Sequence, residues 1–327
     1  LDFAGSGILK SIGTSSPAIG GSDTITTFNG SDVVFGGSGS DDITAGGIDT
    51  SADILVGDNG FAVFDATGVL TEIRTTTPGT GGSDLLLAGD GDDVVFGGVG
   101  EDFINHDRAG NQVGVDSGND VLVGDNGFAL FDNLGGSSLL RQIETSDPVD
   151  GGRDLIFAAN GSDVVLAGSG NDDVDAGSDT SRDILVGDNG FAVFDAAGIL
   201  TLISTSEAAT TGSYDDLITA GAGDNIILGG NGKDRIRALG DDDIVLGDNG
   251  RVAFDSTGTG NIIRSITTID PTFGDLDVIE TGRGDNIVIG GLGGDLVNVD
   301  STSFLPTGNP DGNDIVLGDN GSATFSS

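Results

Sequence analysis

Short apolar segments recur along the chain, and polar turns rich in Gly and Asp separate each segment from the next. In the first block, Asp23, Asp32 and Asp41 lie nine residues apart, and apolar segments such as Val33–Phe35 follow them. Interior Gly costs a helix roughly 1 kcal/mol relative to Ala, so this pattern favours short strands. A turn of about six residues and a strand of about three place two nine-residue units in each coil of a flattened parallel roll.

The nine-residue rhythm returns in five blocks. In four of them a final Asp follows after a variable gap, and in the fourth block the nine-residue spacing continues to Asp243. Residues two units apart should stack on one edge of the roll, so we expect Asp23 to stack with Asp41. The intervening residues, such as Asp32 and Asp53, should stack on the other edge. The Asp or Asn residues at the repeating position, which we call beat residues, are Asp23, Asp32, Asp41, Asp53, Asp84, Asp93, Asp102, Asp120, Asp154, Asp163, Asp172, Asp183, Asp216, Asn225, Asp234, Asp243, Asp277, Asn286, Asp295 and Asp314.

A longer sequence, which we name the junction sequence, connects the blocks. It reads DILVGDNGFAVFD at 53–65 and returns at 120–132, 183–195 and 243–255, with a shortened copy at 314–325. Asp-x-x-Gly between apolar segments is a hairpin signal, which predicts that Phe61–Phe64 pairs with 69–75 and that the other copies pair likewise. Repetition of such a long unit predicts tandem modules. We place them at 1–60, 61–127, 128–190, 191–250 and 251–321, with the isolated first strand of a next hairpin at 322–327.

The predicted fold class is therefore all-β, with parallel β-roll (β-solenoid) blocks alternating with antiparallel hairpins and essentially no helix. Many roll strands also carry apolar residues beside their central position, as at Val33 and Phe35, Val94 and Phe96, Leu85 and Leu87, or Leu155 and Phe157. Strands that are apolar on both sides are buried on both faces. We therefore expect each hairpin to lie against a face of the roll and to cover these residues.

Composition narrows the classes of function. The formal net charge is −41, from 53 acidic residues against 12 Lys and Arg, which excludes nucleic acid as a partner. Uncompensated charge of this size repels itself, and bound cations are the simplest relief. The chain has one His, no Cys and no catalytic motif, so we predict that it is not an enzyme. No apolar run of about 18 residues exists, so we predict no membrane insertion.

Three stretches fit the pattern Gly-Gly-x-Gly-x-Asp-x-apolar-x without a flaw: GGSGSDDIT at 36–44, GGVGEDFIN at 97–105 and GGNGKDRIR at 229–237. They resemble the nonapeptide of the repeats-in-toxin (RTX), or haemolysin-type, calcium-binding family, found in large bacterial surface adhesins and matrix proteins. The resemblance implies several Ca²⁺ ions, side-chain ligands at the beat residues, and an extracellular, secreted or cell-surface location. Asn225 and Asn286 depart from the pattern. An amide offers oxygen without charge, so these two sites should bind more weakly or hold fewer ions.

The Gly-Asp-Asn-Gly of each junction sequence has two interpretations. It is either an added calcium loop that closes the roll or a turn that reverses the chain into the hairpin, and both can hold at once. The candidate ligands of this second group are Asp58, Asp125, Asp188, Asp248 and Asp319.

Three functions fit these features. The first is an extracellular structural protein that forms a calcium-stabilised rod or filament of a bacterial surface or biofilm matrix. The second is a stalk segment of a large adhesin, and the partners of the whole adhesin would be glycans or cell-surface components. The third is an ice- or surface-binding roll, which needs a regular Thr or Asx ladder. Here Thr falls at irregular places, so this function ranks last.

The two ends of the sequence complement each other. Residues 1–12 resemble the second half of a hairpin, and residues 321–325 (GSATF) resemble the first half. An unpaired edge strand is a template for pairing, and a head-to-tail contact that does not close propagates a filament. The chain therefore pairs with itself head to tail, or it is a window on a longer polypeptide in which the two strands are joined covalently. Both arrangements give a fibre.

Overall fold

The computed structural model describes residues 7–46, 49–114, 116–206, 214–255, 262–298 and 312–326. Within these ranges no helix is long and apolar enough to cross a membrane. In chain order the strands are β1 (Ser11–Gly13), β2 (Thr24–Thr26), β3 (Val33–Phe35), β4 (Asp42–Thr44), β5 (Ile54–Val56), β6 (Gly60–Phe64), β7 (Leu70–Thr75), β8 (Leu85–Leu87), β9 (Val94–Phe96), β10 (Phe103–Ile104), β11 (Val121–Val123), β12 (Gly127–Leu134), β13 (Ser137–Thr145), β14 (Leu155–Phe157), β15 (Val164–Leu166), β16 (Asp173–Asp175), β17 (Ile184–Val186), β18 (Gly190–Phe194), β19 (Leu200–Thr205), β20 (Leu217–Ala220), β21 (Ile226–Gly230), β22 (Arg235–Ala238), β23 (Ile244–Asp248), β24 (Gly250–Asp255), β25 (Ile262–Thr268), β26 (Val278–Thr281), β27 (Ile287–Ile289), β28 (Leu296–Val297), β29 (Ile315–Leu317) and β30 (Ser322–Thr324).

The strands form three ten-stranded sheets. The hairpin sheet is antiparallel, in the order β1-β6-β7-β12-β13-β18-β19-β24-β25-β30. The outer sheet (β2-β4-β8-β10-β14-β16-β20-β22-β26-β28) and the middle sheet (β29-β27-β23-β21-β17-β15-β11-β9-β5-β3) are parallel and together form the roll. The predicted all-β fold of roll coils and hairpins is confirmed, while the division into five modules stays a prediction.

The interior of the roll lies between the middle and outer sheets. Each three-residue strand points its central side chain inward, as Leu55 and Val95 do from the middle sheet and Ile43 and Leu86 do from the outer sheet. All four side chains are fully buried. Because side chains alternate along a strand, the two flanking residues of each strand point away from this interior.

A second apolar core lies between the middle sheet and the hairpin sheet. Phe96 and Val123 reach it from the middle sheet, and Ile73 and Ile143 reach it from the hairpins. The first complete hairpin pairs β6 with β7, and Phe61 lies opposite Arg74. The middle sheet is therefore buried on both faces, and for this sheet the prediction that hairpins cover the roll is confirmed.

For the outer sheet that prediction is wrong. Leu85, Leu87, Leu155 and Phe157 lie in β8 and β14, on the side of the roll away from the hairpins. Successive nonapeptides alternate between the two roll sheets, and only one of these sheets faces the hairpins. Leu85 and Leu87 are accordingly half-buried rather than enclosed.

An insertion between β10 and β11 covers part of the outer sheet instead. In residues 105–114, Arg108 donates from Nε to Asp42 Oδ1 at 2.9 Å, and Gln112 donates from Nε2 to Asp175 Oδ2 at 2.5 Å. These contacts hold the insertion across several neighbouring coils. Leu155 beneath it is 7% exposed.

Because the middle sheet is buried on both faces, removing a side chain from the core between the middle sheet and the hairpin sheet should cost much stability. Phe96→Ala removes a fully buried ring and should destabilise the fold by about 3–5 kcal/mol, because the cavity adds to the lost transfer free energy. Phe28 is 77% exposed, so Phe28→Ala should change stability by no more than about 0.5 kcal/mol. Urea denaturation in excess calcium measures both. Equal effects of the two substitutions would contradict the three-layer packing.

Candidate calcium sites

Two stacks of acidic side chains run along the roll, one on each edge. The first ladder lies where the chain passes from the middle sheet to the outer sheet, and the second ladder lies where it returns. The first ladder consists of Asp23, Asp41, Asp84, Asp102, Asp154, Asp172, Asp216, Asp234, Asp277 and Asp295. The second ladder consists of Asp32, Asp53, Asp93, Asp120, Asp163, Asp183, Asn225, Asp243, Asn286 and Asp314.

The same type of hydrogen bond links the members of both ladders. The backbone N–H of each member donates to Oδ1 of the member in the next coil, as from Asp41 to Asp84 at 2.7 Å and from Asp102 to Asp154 at 2.8 Å. The same bond joins Asp53 to Asp93 at 2.7 Å in the second ladder. This bond fixes the rotamer of each carboxylate, and so it also fixes the direction of the second oxygen.

That second oxygen has no protein partner. Among the described residues, Oδ2 is buried without a hydrogen bond in sixteen ladder members: Asp32, Asp41, Asp53, Asp84, Asp93, Asp102, Asp120, Asp154, Asp163, Asp172, Asp183, Asp216, Asp234, Asp243, Asp277 and Asp295. An unsatisfied buried acceptor costs about 1–3 kcal/mol, and more when it carries charge. A repeated cost of this kind fits oxygens that bind a cation.

Glycine leaves room beside these oxygens on the first edge. A Cβ added to Gly229 would lie 2.4 Å from Asp234 Oδ2 and 2.1 Å from the carbonyl oxygen of Gly247. Seven other turns on this edge have a Gly in the same relation to a ladder oxygen and a carbonyl: Gly36, Gly57, Gly97, Gly124, Gly187, Gly247 and Gly290. Carboxylate and carbonyl oxygens that converge in this way are the donor set that Ca²⁺ prefers.

The ladder carboxylates are electrostatically unfavourable without a cation. Burial, the largest cause in each case, raises the pKa of Asp53 to about 6, that of Asp183 to about 7 and that of Asp93 to about 8. Burial and then the neighbouring charge of Asp102 raise the pKa of Asp84 to about 10. A bound divalent cation opposes both effects, because it favours the ionised carboxylate.

The two Asn members of the second ladder are satisfied without a cation. Asn225 donates from Nδ2 to the carbonyl oxygen of Gly221 at 3.3 Å. Asn286 donates from Nδ2 to the carbonyl oxygen of Gly284 at 3.3 Å and to Asp314 Oδ1 at 3.1 Å. The weaker binding predicted for these positions stays a prediction, and the structure supplies a physical reason for it.

The Asp of Gly-Asp-Asn-Gly ties each coil to later parts of the chain. Asp58 accepts from the backbone N–H of Gly82 at 3.0 Å on Oδ1 and from that of Val99 at 2.6 Å on Oδ2. Asp125 repeats this arrangement with Gly152 and Ser169. These bonds occupy both carboxylate oxygens of Asp58 and Asp125.

The later copies also retain features of a ligand. Asp188 and Asp248 accept backbone N–H groups on Oδ2, from Asn231 and Leu292, yet their buried Oδ1 atoms have no partner among the described residues. Asp319, by contrast, is exposed at the end of the described chain. The calcium-loop interpretation of this group therefore stays a prediction.

One buried carboxylate near the second ladder does not fall on the nine-residue rhythm. Asp116 lies beside Asp93 and Asp120, and one carboxylate oxygen from each lies within 4.8 Å of the others. All three side chains are buried. The spacing of Asp116 four residues before Asp120 is the sequence signal that could have revealed it.

Comparison with known protein families agrees with this geometry. The model of the RTX calcium-binding nonapeptide repeat, which comprises four copies, matches residues 20–47, 78–113, 149–182, 210–245 and 274–301. The chain belongs to the RTX calcium-binding repeat family. A comparison with curated proteins found no match. The repeats of this family bind Ca²⁺, so calcium is the cofactor of this chain.

Calcium, when bound, supplies positive charge between carboxylates that otherwise repel one another. The chain supplies the rest of the site. Backbone N–H groups hold Oδ1 of each ladder Asp, the buried Oδ2 is left as a ligand, and Gly residues at the turns leave space beside it. A site built from parts of successive coils exists only in the folded chain, so the free energy of binding stabilises the fold.

The pKa values predict opposite pH dependences with and without calcium. Asp53, Asp93 and Asp183 have folded-state pKa values of about 6 to 8, above their ordinary value of 3.8. The calcium-free fold should therefore be most stable near pH 4 and lose stability as the pH rises to 8. In excess calcium, stability should rise over the same interval, because the ligands must be deprotonated. Thermal melts with chelator and with calcium measure both, and parallel profiles would contradict the account.

The space beside the first ladder can be closed by one methyl group. Gly229→Ala places a Cβ against Asp234 Oδ2 and the carbonyl oxygen of Gly247, so the variant should bind fewer calcium ions and melt at a lower temperature in calcium. Gly294→Ala is the matched control, because its Cβ meets nothing within 4 Å. Calcium counting by native mass spectrometry distinguishes the two. An unchanged ion count in Gly229→Ala would show that the cation lies elsewhere.

Proposed function

We propose that the chain is an extracellular structural protein, a calcium-stabilised rod whose copies join head to tail by strand pairing. The observation that supports this proposal is that the described sheets end in edge strands without a further partner strand. All three sheets present an edge strand at each end of the described structure: β1, β2 and β3 at one end and β30, β28 and β29 at the other. Edge strands of this kind are templates for pairing with another chain.

The edges of the hairpin sheet complement each other in register. Strand β30 pairs with β25 as β24 pairs with β19, so β30 occupies the place of a first hairpin strand. Strand β1 pairs with β6 as β7 pairs with β12, so β1 occupies the place of a second hairpin strand. By analogy with Ala62 opposite Ile73, Ala323 of one copy would lie opposite Ile12 of the next.

The last coil of the roll has apolar side chains available for such a contact. Ile315 is 46% exposed and Val316 is 48% exposed, whereas Ile244 and Val245 at the same places in an internal strand are 6% and 0% exposed. Stacking a second copy on this end would bury these side chains. It would also continue both Asp ladders, with Asp295 followed by Asp23 of the next copy.

The same rod would serve as a stalk in a large adhesin or as a filament of a matrix, and the head-to-tail contact distinguishes these roles. A surface-binding role has less support. The face of the outer sheet away from the hairpins carries Thr24, Asp42 and Leu85 at successive corresponding places, which is not a regular ladder of one residue type.

The contact can be tested at the outward edge of β30. Phe325 donates its N–H to the carbonyl oxygen of Arg264, and Thr268 donates to that of Gly321. Because the hydrogen bonds of an antiparallel pair alternate along the strand, the N–H of Thr324 points to the open edge. Thr324→Pro removes this donor without removing a bond to β25, and Thr324→Val keeps the N–H in a side chain of similar shape.

Light scattering after size-exclusion chromatography in excess calcium gives the result. The unaltered chain and Thr324→Val should form species that grow with concentration, and Thr324→Pro should remain near the chain mass of 32.5 kDa. If the measured mass of the unaltered chain stays at 32.5 kDa at every concentration, the head-to-tail proposal is overturned. Equal assembly of all three proteins would show that another surface makes the contact.

A further inference from the structure

We propose that Asp116, which lies outside the nonapeptide pattern, adds a third carboxylate to the ladder members Asp93 and Asp120 and so forms a three-carboxylate cation site on the second edge. An Asp also stands four residues before the first and third junction sequences, and the ladder member that precedes the fourth and fifth junction sequences is Asn. The expected ligand is a divalent cation that prefers oxygen donors, and Ca²⁺ is the probe for testing it. The proposal does not depend on the head-to-tail contact.

The geometry of the trio points to a ligand. The side chains of Asp93, Asp116 and Asp120 are 1%, 3% and 1% exposed, and one oxygen of each lies within 4.8 Å of the others. The Oδ2 atom of all three has no hydrogen-bond partner among the described residues. Three buried carboxylates around one point repel strongly in a low-dielectric interior, and a divalent cation between them removes that cost.

Asp116 is held so that one oxygen stays available. Its Oδ1 accepts the backbone N–H of Gly118 at 3.0 Å and lies 3.4 Å from the N–H of Gly91 in the preceding coil. These contacts anchor the carboxylate through Oδ1, and the buried Oδ2 is left without a hydrogen-bond partner among the described residues. Asp116 and Asp120 also lie beyond residue 113, where the second matched RTX segment ends. The nonapeptide pattern therefore does not account for Asp116.

Asp49 and Asp179 occupy the same place before the first and third junction sequences. Each lies four residues before the first Asp of its junction sequence. Asp49 accepts the N–H of Gly30 at 2.8 Å, and Asp179 accepts the N–H of Gly161 at 3.1 Å. In each copy the extra carboxylate thus caps the turn of the preceding coil. Among the described residues, only the second copy brings three carboxylates of this kind together.

The fourth and fifth copies differ at two positions together. The place four residues before the junction sequence holds Leu239 and Pro310, which have no carboxylate. The preceding ladder member is Asn225 or Asn286 in these copies, whereas it is Asp in the first three. The Asn amide donates directly to a turn carbonyl, so this turn is closed by a hydrogen bond, and the place that corresponds to Asp116 holds no carboxylate.

Calcium counting on an isosteric variant tests the site. Asp116→Asn keeps the shape and the Oδ1 acceptor but removes the charge, so it should lose one bound calcium per chain by native mass spectrometry, or bind that ion at least tenfold more weakly by calorimetry. Asp92→Asn is the matched control. Asp92 is an exposed neighbour whose Oδ1 accepts the N–H of Asn119 at 2.8 Å, a bond that Asn can also accept. Equal calcium content and affinity in Asp116→Asn and the unaltered chain would overturn the proposal.

Hydrogen exchange on the unaltered chain gives a second test that does not depend on how the variant folds. As calcium is lowered stepwise, the amides of Gly91 and Gly118 should lose protection while those of residues 223–225 keep it, because the Asn225 amide holds that turn without a cation. Simultaneous loss of protection in both turns, or earlier loss near Asn225, would contradict the assignment.

Discussion

Buried carboxylates stacked one coil apart are the constraint on which this structure depends. From Asp41 and Asp53 onward, each ladder Asp uses one oxygen to accept the backbone N–H of its neighbour, and this bond helps to hold successive coils in register. The same bond leaves the second oxygen buried without a protein partner. The polar interactions that align the coils therefore also create the need for calcium, and folding and ion binding become one process.

The hairpin sheet supplies what a roll of short strands lacks. Three-residue strands bury little surface on one face, but the middle sheet buries both of its faces, and Phe96 and Val123 add a second core to the one inside the roll. This second core is apolar and does not require an ion. The stability of the two roll edges therefore depends on calcium, and the stability of the core between the middle sheet and the hairpin sheet depends on the hydrophobic effect.

Much of this arrangement follows from periodicity in the sequence. Nine-residue spacing predicts that Asp23 stacks with Asp41, and apolar residues such as Val33 and Phe35 predict a covering layer. Periodicity fails where the period is broken. The insertion at 105–114 interrupts the rhythm, so its packing over the outer sheet and the position of Asp116 were not predicted. Strand pattern alone also could not separate Leu85 from Phe96, because both flank a central apolar residue and only the order of the sheets decides which one faces a hairpin.

The central claim is that calcium and the fold of the roll are inseparable at neutral pH. The most direct measurement is a calcium titration of the chelated chain, followed by far-UV circular dichroism and small-angle X-ray scattering on the same samples. The account predicts an expanded chain with little β signal in chelator and a cooperative return to a compact β-rich form as calcium is added. A chain whose spectrum and radius of gyration are the same with and without calcium would contradict it.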